Sequence, residues 1–250
     1  MALQEEFEKQ GNWLFRNRSY LPLLVIFAGI VVFIWTEMHP ESFFLKAEWA
    51  NQYYIYICLL ISLIGLAIRV FTVGYTPANT SGRNTSGQLA DQLNTTGIYS
   101  LVRHPLYLGN FFMWLGPVLY TGHLWFVGLV CFFYWIYYER IMFAEEQFLR
   151  GKFGDIYISW AEKIPAFLPG LTGYKKPVLP FSWKKVLKKE KNGLMNVFII
   201  FCVMDVAGAF IRKDGEYNKI IAAACMFTIV LYLILKFLKY NTNWLNEEGR

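Results

Sequence analysis

A cation, an imidazole and a phenol stand close together in residues 103–109, Arg-His-Pro-Leu-Tyr-Leu-Gly, at the start of a long apolar stretch. A second polar pair, Glu145-Glu146, follows just past the end of that stretch. Polar groups at the edge of a membrane are costly to hold there, so a cluster of them is by itself a hypothesis for a functional site.

The residue types of the first segment suit the recognition of an anion. Pro105 fits the first turn of a helix that begins near Leu106. The start of a helix offers free N–H groups and a dipole that favours negative charge. Arg103 and His104 beside such a start would complete a corner for a carboxylate or a phosphate. Gly109, one turn further on, allows a ligand or another backbone to approach closely.

Glu145 and Glu146 supply the opposite charge, which suits an ammonium group or a ribose diol. Together with the anion corner they match a zwitterionic ligand. Aromatic rings near both motifs can hold a cation against their faces; they are Tyr99, Tyr107, Trp114, Tyr134, Trp135, Tyr137 and Tyr138. The alternative is that the charged side chains only snorkel and pair at the interface, while the rings form an interfacial aromatic belt.

The hydropathy pattern predicts an all-α polytopic membrane protein with about six membrane segments. Hydrophobic residues make up 56% of the 250-residue chain. They gather into uncharged runs over residues 20–36, 53–68, 106–138 and 220–235, and into a run over 194–211 that holds Asp205. The run over 106–138 is too long for one upright span. Gly116-Pro117 and Thr121-Gly122 interrupt it, which predicts a helical hairpin.

The distribution of charge predicts an orientation. With the N-terminus inside, the inside segments hold all but four of the 24 Lys and Arg, the exceptions being Lys46, Arg212, Lys213 and Lys219. This bias favours both termini inside and places both polar motifs on the cytoplasmic face. Anionic headgroups then account for the net charge of +6, and no nucleic-acid partner is predicted. Composition favours a bacterial cytoplasmic membrane over the endoplasmic reticulum.

We expect one membrane domain with four regions. These are N-terminal spans (1–75), a cofactor-binding and catalytic region (76–170), a polybasic interfacial segment (171–193) and two C-terminal spans (194–250). The polar loop over residues 74–96 is interpreted as a flexible connector or a ligand-covering loop. Residues 139–169 are expected to form an amphipathic helical region at the membrane surface. Asp205 needs a partner or a polar cavity. No metal site is predicted, since the four cysteines lie in apolar runs without paired spacing.

The first motif resembles a segment of integral-membrane methyltransferases. Residues 97–109 follow the pattern G-x-Y-x-x-x-R-H-P-x-Y-x-G of the isoprenylcysteine carboxyl methyltransferases and the related phospholipid methyltransferases. Glu145-Glu146 open a second segment that is similar to their E-E-x-x-L-x-x-x-F-G-x-x-Y…P pattern and closes with Pro165 and Pro169. The resemblance covers roughly residues 90–170. The two spans that follow depart from the shorter members of the family.

The resemblance implies that S-adenosylmethionine binds in a helical membrane pocket and that no Rossmann domain is present. By family analogy the cofactor contacts fall on Tyr99, His104, Pro105, Leu106, Tyr107, Gly109, Glu145, Glu146 and, with a looser match, Asn94. The expected catalytic residues are Arg103, Arg140 and Glu146. Arg140 lies one residue away from the position of an arginine that orients the acceptor in the carboxyl methyltransferases.

The reaction that the resemblance implies is methyl transfer to a lipid or lipidated acceptor in the membrane. The acceptors considered are a prenylcysteine carboxylate, a lipid phosphate such as that of lipid A, and the amine of phosphatidylethanolamine. The methyl group of the cofactor is already activated, so the protein mainly aligns and desolvates the reactants. No obvious buried general base is present, which favours an anionic acceptor.

Two other functions stay open from the sequence. NADPH-dependent membrane reductases of the sterol and steroid type carry a similar R-H-x-x-Y-x-G stretch. They tend to place an acid directly after that glycine, where this chain has Asn110. The other alternative is a non-enzymatic transporter or scaffold. Against it, charge within the apolar runs is sparse and no inverted repeat is visible.

Overall fold

The computed structural model describes residues 2–20, 22–45, 48–80 and 88–250, without the side chains of residue 22 and residues 48–52. This part of the chain contains eight α-helices and no strand. They are α1 (Leu3–Asn17), α2 (Pro22–Met38), α3 (Glu48–Tyr75), α4 (Pro105–Tyr120), α5 (Leu124–Phe153), α6 (Asp155–Ala161), α7 (Trp183–Arg212) and α8 (Lys219–Asn241). The expected all-α fold is confirmed.

Four of these helices, α3, α5, α7 and α8, are long and apolar enough to cross a membrane. Helices α2 and α4 are apolar but shorter. The protein is therefore a polytopic helical membrane protein, as the hydropathy pattern predicts. The predicted hairpin consists of α4 and α5, which are joined by a turn at residues 121–123. Gly122 has a φ of +80° there, a conformation that glycine adopts at little cost.

Pro117 lies inside α4 and does not interrupt the helix, contrary to the expected break at Gly116-Pro117. A proline leaves the carbonyl four residues earlier without its helical partner. That carbonyl belongs to Met113, and the Oγ of Ser62 in α3 donates to it at 3.1 Å. Gly116 permits this approach, because a Cβ there would lie 2.1 Å from Ser62 Oγ.

Helices α3 and α4 pack antiparallel through small residues, as helices in membranes often do. A Cβ on Gly65 would lie 2.4 Å from the carbonyl oxygen of Gly109. Further along the pair, the Tyr54 hydroxyl donates to the carbonyl of Leu119 at 2.7 Å. This close packing fixes the first turns of α4, and with them the first polar motif, against the end of α3.

The structure differs from the sequence-based expectation at two boundaries. Helix α5 continues to Phe153, so the expected surface helix over 139–169 is the second half of α5 followed by α6. The chain turns only at Gly154, with a φ of +53°. Helix α7 likewise begins within the expected polybasic segment and carries several of its lysines. One of them, Lys185, is buried and donates to the carbonyls of Thr76 and Pro77 at 2.6 and 3.0 Å.

The ends of α3, α5 and α8 meet the starts of α4 and α7 at one end of the bundle. The segment after α8 packs at this end, where Lys188 donates to Asn246 at 2.8 Å. At the opposite end, the Asp205 carboxylate accepts the backbone N–H of Asn218 at 2.6 Å. Asn218 caps the start of α8 through its own side chain. Asp205 thus has the partner that its position requires, and the contact joins α7 to α8.

Candidate active site

The first motif begins in an irregular segment that is tied to the chain after α6. Gly97 opens the segment with a φ of +62°, which favours glycine. The backbone N–H of Arg103 donates to the carbonyl of Pro165 at 2.9 Å, and that of His104 donates to Ala166 at 3.1 Å. These bonds fix the two side chains just before α4 starts.

His104 is buried and bonds to the second motif. Its Nε2 lies 2.9 Å from Oε1 of Glu146, and its Nδ1 lies 3.7 Å from Oε2 of Glu145. The Nε of Arg103 lies 3.2 Å from the same Glu146 oxygen. Glu146 thus joins an imidazole and a guanidinium. The two motifs, distant in the sequence, are in direct contact.

Tyr107 forms another link between the motifs. Its hydroxyl donates to Oε2 of Glu145 at 2.8 Å, and its ring stacks on His104 with the centroids 5.6 Å apart. The Tyr134 hydroxyl of α5 donates to the Tyr107 carbonyl at 2.7 Å. The first turn of α4 is therefore held against α5, with the Glu145 carboxylate oriented by a phenol.

A cavity of about 530 Å³ lies beside this cluster, within the roughly 300–1,000 Å³ usual for ligand pockets. Its wall includes side chains of α1, α3, α4, α5 and α7 and residues 88–90 and 92–94 of the polar loop. Residues 81–87 of that loop lie outside the described residues. The following predicted site residues line the cavity: Asn94, Tyr99, Arg103, His104, Pro105, Leu106, Tyr107 and Glu145.

Three other predicted residues lie outside the wall. Glu146 sits behind His104, where it holds the imidazole. Gly109 faces α3 and provides close packing. Arg140 points toward α1, with its guanidinium 3.5 Å from the centre of the Phe7 ring. The structure therefore does not bring Arg140 to the cavity with the other predicted residues.

The sequence analysis missed a buried ion pair in the same wall. Arg69 of α3 donates to Glu190 of α7 through Nε and Nη2, at 2.9 and 2.7 Å, and through Nη1 to the side-chain oxygen of Asn110 at 2.7 Å. The Glu190 side chain is 5% exposed. Glu190 is the one acid among the lysines of residues 171–193. Its presence there was the sequence feature that could have indicated an ion pair.

Helix α1 was also missed as a part of the site. Phe15 is buried in the core, and Phe15, Arg18 and Ser19 line the cavity. Gly11 lets α1 lie directly on α5, since a Cβ there would be 2.1 Å from a backbone oxygen of α5. Phe7, Gly11, Phe15 and Arg18 recur at helical spacing, which is a readable sign of a packed helix.

The buried Nε1 of Trp160, a cavity-lining residue, has no hydrogen-bond partner in the described part of the chain. Buried donors are nearly always paired, so this one indicates where a ligand with an acceptor oxygen fits, beside the guanidinium of Arg103. Burial, and then the charge of Glu145, raise the pKa of the Tyr99 phenol above its usual range, so Tyr99 stays neutral. Donors near Arg103 and a carboxylate at Glu145 fit a zwitterionic ligand.

The profile of the phospholipid methyltransferase family matches residues 53–156. This stretch extends from the first half of α3 to the start of α6 and contains both polar motifs. Residues 53–156 are therefore similar to the phospholipid methyltransferase family. The family segment thus supplies the contact between His104 and Glu146 and the packing of α3 on α4. Helices α1, α2, α7 and α8 lie outside it.

Several curated proteins are similar to parts of the chain. A protein-S-isoprenylcysteine O-methyltransferase of Schizosaccharomyces pombe is 37% identical over 78 residues, which is 31% of this chain and 33% of that protein. A methanethiol S-methyltransferase of Bradyrhizobium diazoefficiens is 33% identical over 31% of this chain and 26% of its own length.

A cobalt-zinc-cadmium resistance protein of Cupriavidus metallidurans is similar over a longer stretch, at 25% identity over 66% of this chain and 69% of that protein. The match to the yeast methyltransferase thus spans only about a third of that relative. No solved structure matches the chain.

Proposed function

We propose that this protein is an S-adenosylmethionine-dependent methyltransferase that acts on a lipid or lipidated acceptor in the membrane. The observation that carries the proposal is the contact of His104 and Tyr107 with Glu146 and Glu145 at the wall of the 530 Å³ cavity. Both motifs lie within the segment that matches the methyltransferase family.

The wall of the cavity offers partners for each polar part of such a cofactor. Arg103 and Trp160 would bind its carboxylate, since the Arg103 guanidinium lines the cavity and the Trp160 Nε1 has no partner in the described structure. Glu145 would accept from its ammonium group or from the ribose hydroxyls. Tyr99 and Tyr107 line the same cavity, and their ring faces would attract the positive sulfur.

S-adenosylmethionine supplies a methyl group on a positively charged sulfur. The protein's own part is then to hold the acceptor in line and to exclude water. Glu146 acts as a positioning residue, because it holds His104 and Arg103 without lining the cavity. Tyr99 remains protonated and is a hydrogen-bond donor, not a base.

We further propose that the cavity opens to the cytoplasmic side of a bacterial membrane. The ends of α3, α5 and α8 and the starts of α4 and α7 share the end of the bundle that carries the cavity. Most of the Lys and Arg belong to segments at this end, as the positive-inside rule requires of a cytoplasmic face.

Transfer of a labelled methyl group from S-adenosylmethionine into total membrane lipid extract tests the function. The purified protein should label a lipid or lipidated product, and mass spectrometry should locate the methyl group. A folded protein that labels nothing in extracts from its own host would refute the proposal.

A thermal-shift measurement in detergent separates the methyltransferase from the reductase. S-adenosylhomocysteine at 100 times its dissociation constant should stabilise the protein by about 2.7 kcal/mol. NADPH should leave the melting temperature unchanged. Stabilisation by NADPH alone would favour the reductase.

A further inference from the structure

Helix α7 presents a polar face to the cavity, although it lies outside the segment that matches the family. Lys189 lies three and four residues before Asn192 and Gly193, and these two lie four and three residues before Asn196, so all four share one side of the helix. All four line the cavity. The helix then continues as an apolar span to its end at Arg212.

The buried pair of Arg69 and Glu190 fixes how α7 is rotated. Its two hydrogen bonds, at 2.7 and 2.9 Å, leave the helix little freedom to turn about its axis. Gly193 lies at a close approach to α3 and α4, because a Cβ there would be 3.4 Å from both Leu66 and Met113. The polar face therefore points into the cavity as a consequence of specific packing.

The amides of Asn192 and Asn196 make no hydrogen bond within the described part of the chain. Other asparagines near the membrane do, since Asn110 accepts from Arg69 and Asn218 donates to Tyr56 at 2.7 Å. Polar side chains at the edge of an apolar helix are retained where they have a partner or a function. A ligand in the cavity would be that partner.

We propose that this face of α7 is the subsite for the acceptor's headgroup, and that the headgroup carries an anionic oxygen. The proposal rests on the proposed function. The ammonium of Lys189 supplies positive charge, and the amides of Asn192 and Asn196 supply donors. Among the residues of this face none is acidic, and the nearby acid, Glu190, is bonded to Arg69. The face is thus complementary to a carboxylate or a phosphate.

An anionic acceptor also balances the reaction without a base. A lone pair of the acceptor oxygen forms the bond to the methyl carbon while the bond from that carbon to sulfur breaks. The electron pair of the broken bond goes to sulfur, which becomes neutral, and the acceptor loses one negative charge as its oxygen becomes an ester oxygen. No proton has to leave, in contrast to the methylation of an ammonium group.

The test begins with the product that the wild-type protein forms in lipid extract. Mass spectrometry should find the label as a methyl ester of a carboxylate or a phosphate. Phosphatidic acid and N-acetyl-S-farnesylcysteine, each in detergent micelles, then show which of the two sources is used. A methyl group on nitrogen or sulfur would overturn the anionic assignment. A wild-type protein that labels no product would instead refute the proposed function.

The second step is kinetic and uses the anionic acceptor found in the first. The variant N192L/N196L and the variant K189M should each raise the KM for that acceptor about tenfold, because a donor to its charged oxygen is lost. Their affinity for S-adenosylhomocysteine, measured by calorimetry, should stay that of the wild type. K184M is the matched control, since Lys184 is exposed on the same helix and does not line the cavity.

Each result of the kinetic step bears on the proposal. An acceptor KM equal to that of the wild type in both variants would overturn it. A parallel loss of S-adenosylhomocysteine binding in a folded variant would assign the face to the cofactor instead. Should the double variant fail to fold, K189M and the single variants N192A and N196A decide the question.

Discussion

Replacing Glu146 with Gln removes one negative charge from the centre of the site and nearly preserves its shape. The carboxylate accepts from His104 at 2.9 Å and lies 3.2 Å from Arg103 Nε. Its side chain is 22% exposed. Hydrogen bonds to charged groups contribute about 1.5–3 kcal/mol each. A glutamine keeps one acceptor, so we expect a loss of about 1–2 kcal/mol in the positioning of His104 and Arg103.

Because His104 and Arg103 line the cavity, most of that loss should appear in cofactor binding. A factor of ten in affinity corresponds to about 1.4 kcal/mol. Glu146→Gln should therefore weaken the binding of S-adenosylhomocysteine by about tenfold, measured by calorimetric titration of the detergent-solubilised protein. The circular dichroism spectrum should stay that of a folded helical protein.

The matched control is Glu139→Gln, two turns earlier on α5. Glu139 is 47% exposed and pairs with Arg140 at 3.0 Å, away from the cavity. An exposed pair of this kind contributes about 0–1 kcal/mol to stability, and its loss should leave ligand affinity unchanged. The reasoning is refuted if Glu146→Gln binds as tightly as the wild type, or if the control loses as much affinity.

Three further substitutions test other parts of the structure. Gly65→Ala should destabilise the protein strongly, because its Cβ would lie 2.4 Å from a backbone oxygen of α4. Gly128 has open space around it, so Gly128→Ala should be neutral or should stabilise the protein by up to about 1 kcal/mol. Equal melting temperatures for the Gly65→Ala and Gly128→Ala variants would contradict the close packing of α3 on α4. Arg69→Met should lower the free energy of unfolding by about 3–5 kcal/mol, because it leaves Glu190 buried without its partner. The double variant R69M/E190M should recover most of that stability. A double variant no more stable than the single one would argue against the buried pair. Arg140→Ala should change kcat/KM by less than about fivefold, since both contacts of Arg140, with Glu139 and with the Phe7 ring, lie outside the cavity. A loss of two orders of magnitude would show that its placement is wrong.

The contact between the two motifs was predictable because each motif resembles a known pattern. Arg140 was misplaced for a physical reason, which is the continuity of α5. Along one unbroken helix, Tyr138 and Glu145 are seven residues apart and share a face, whereas Arg140 lies on the other side. Arg140 was predicted because it lies one residue away from an arginine of the family pattern, and a shift of one residue along a helix turns a side chain by about 100°.

The contribution of α7 was not predictable from local patterns. Arg69 and Glu190 are 121 positions apart in the sequence, and each alone is typical of an interfacial charge. Only the packing of α3 against α7 shows that they form one buried pair. The face of Lys189, Asn192 and Asn196 was not predicted either. The lysine-rich composition of residues 171–193 favoured a segment that binds headgroups at the membrane surface, which is the usual role of a polybasic segment.

Photo-crosslinking of methyl-labelled S-adenosylmethionine, followed by mapping of the labelled peptide, tests most directly whether this cavity is the site of methyl transfer. We predict that the label falls on peptides from residues 94–107 or 138–149, which contribute both motifs to the wall of the cavity. Excess S-adenosylhomocysteine should abolish the labelling. Label that resists this competition, or that falls only on peptides remote from the cavity such as those of α8, would contradict the account.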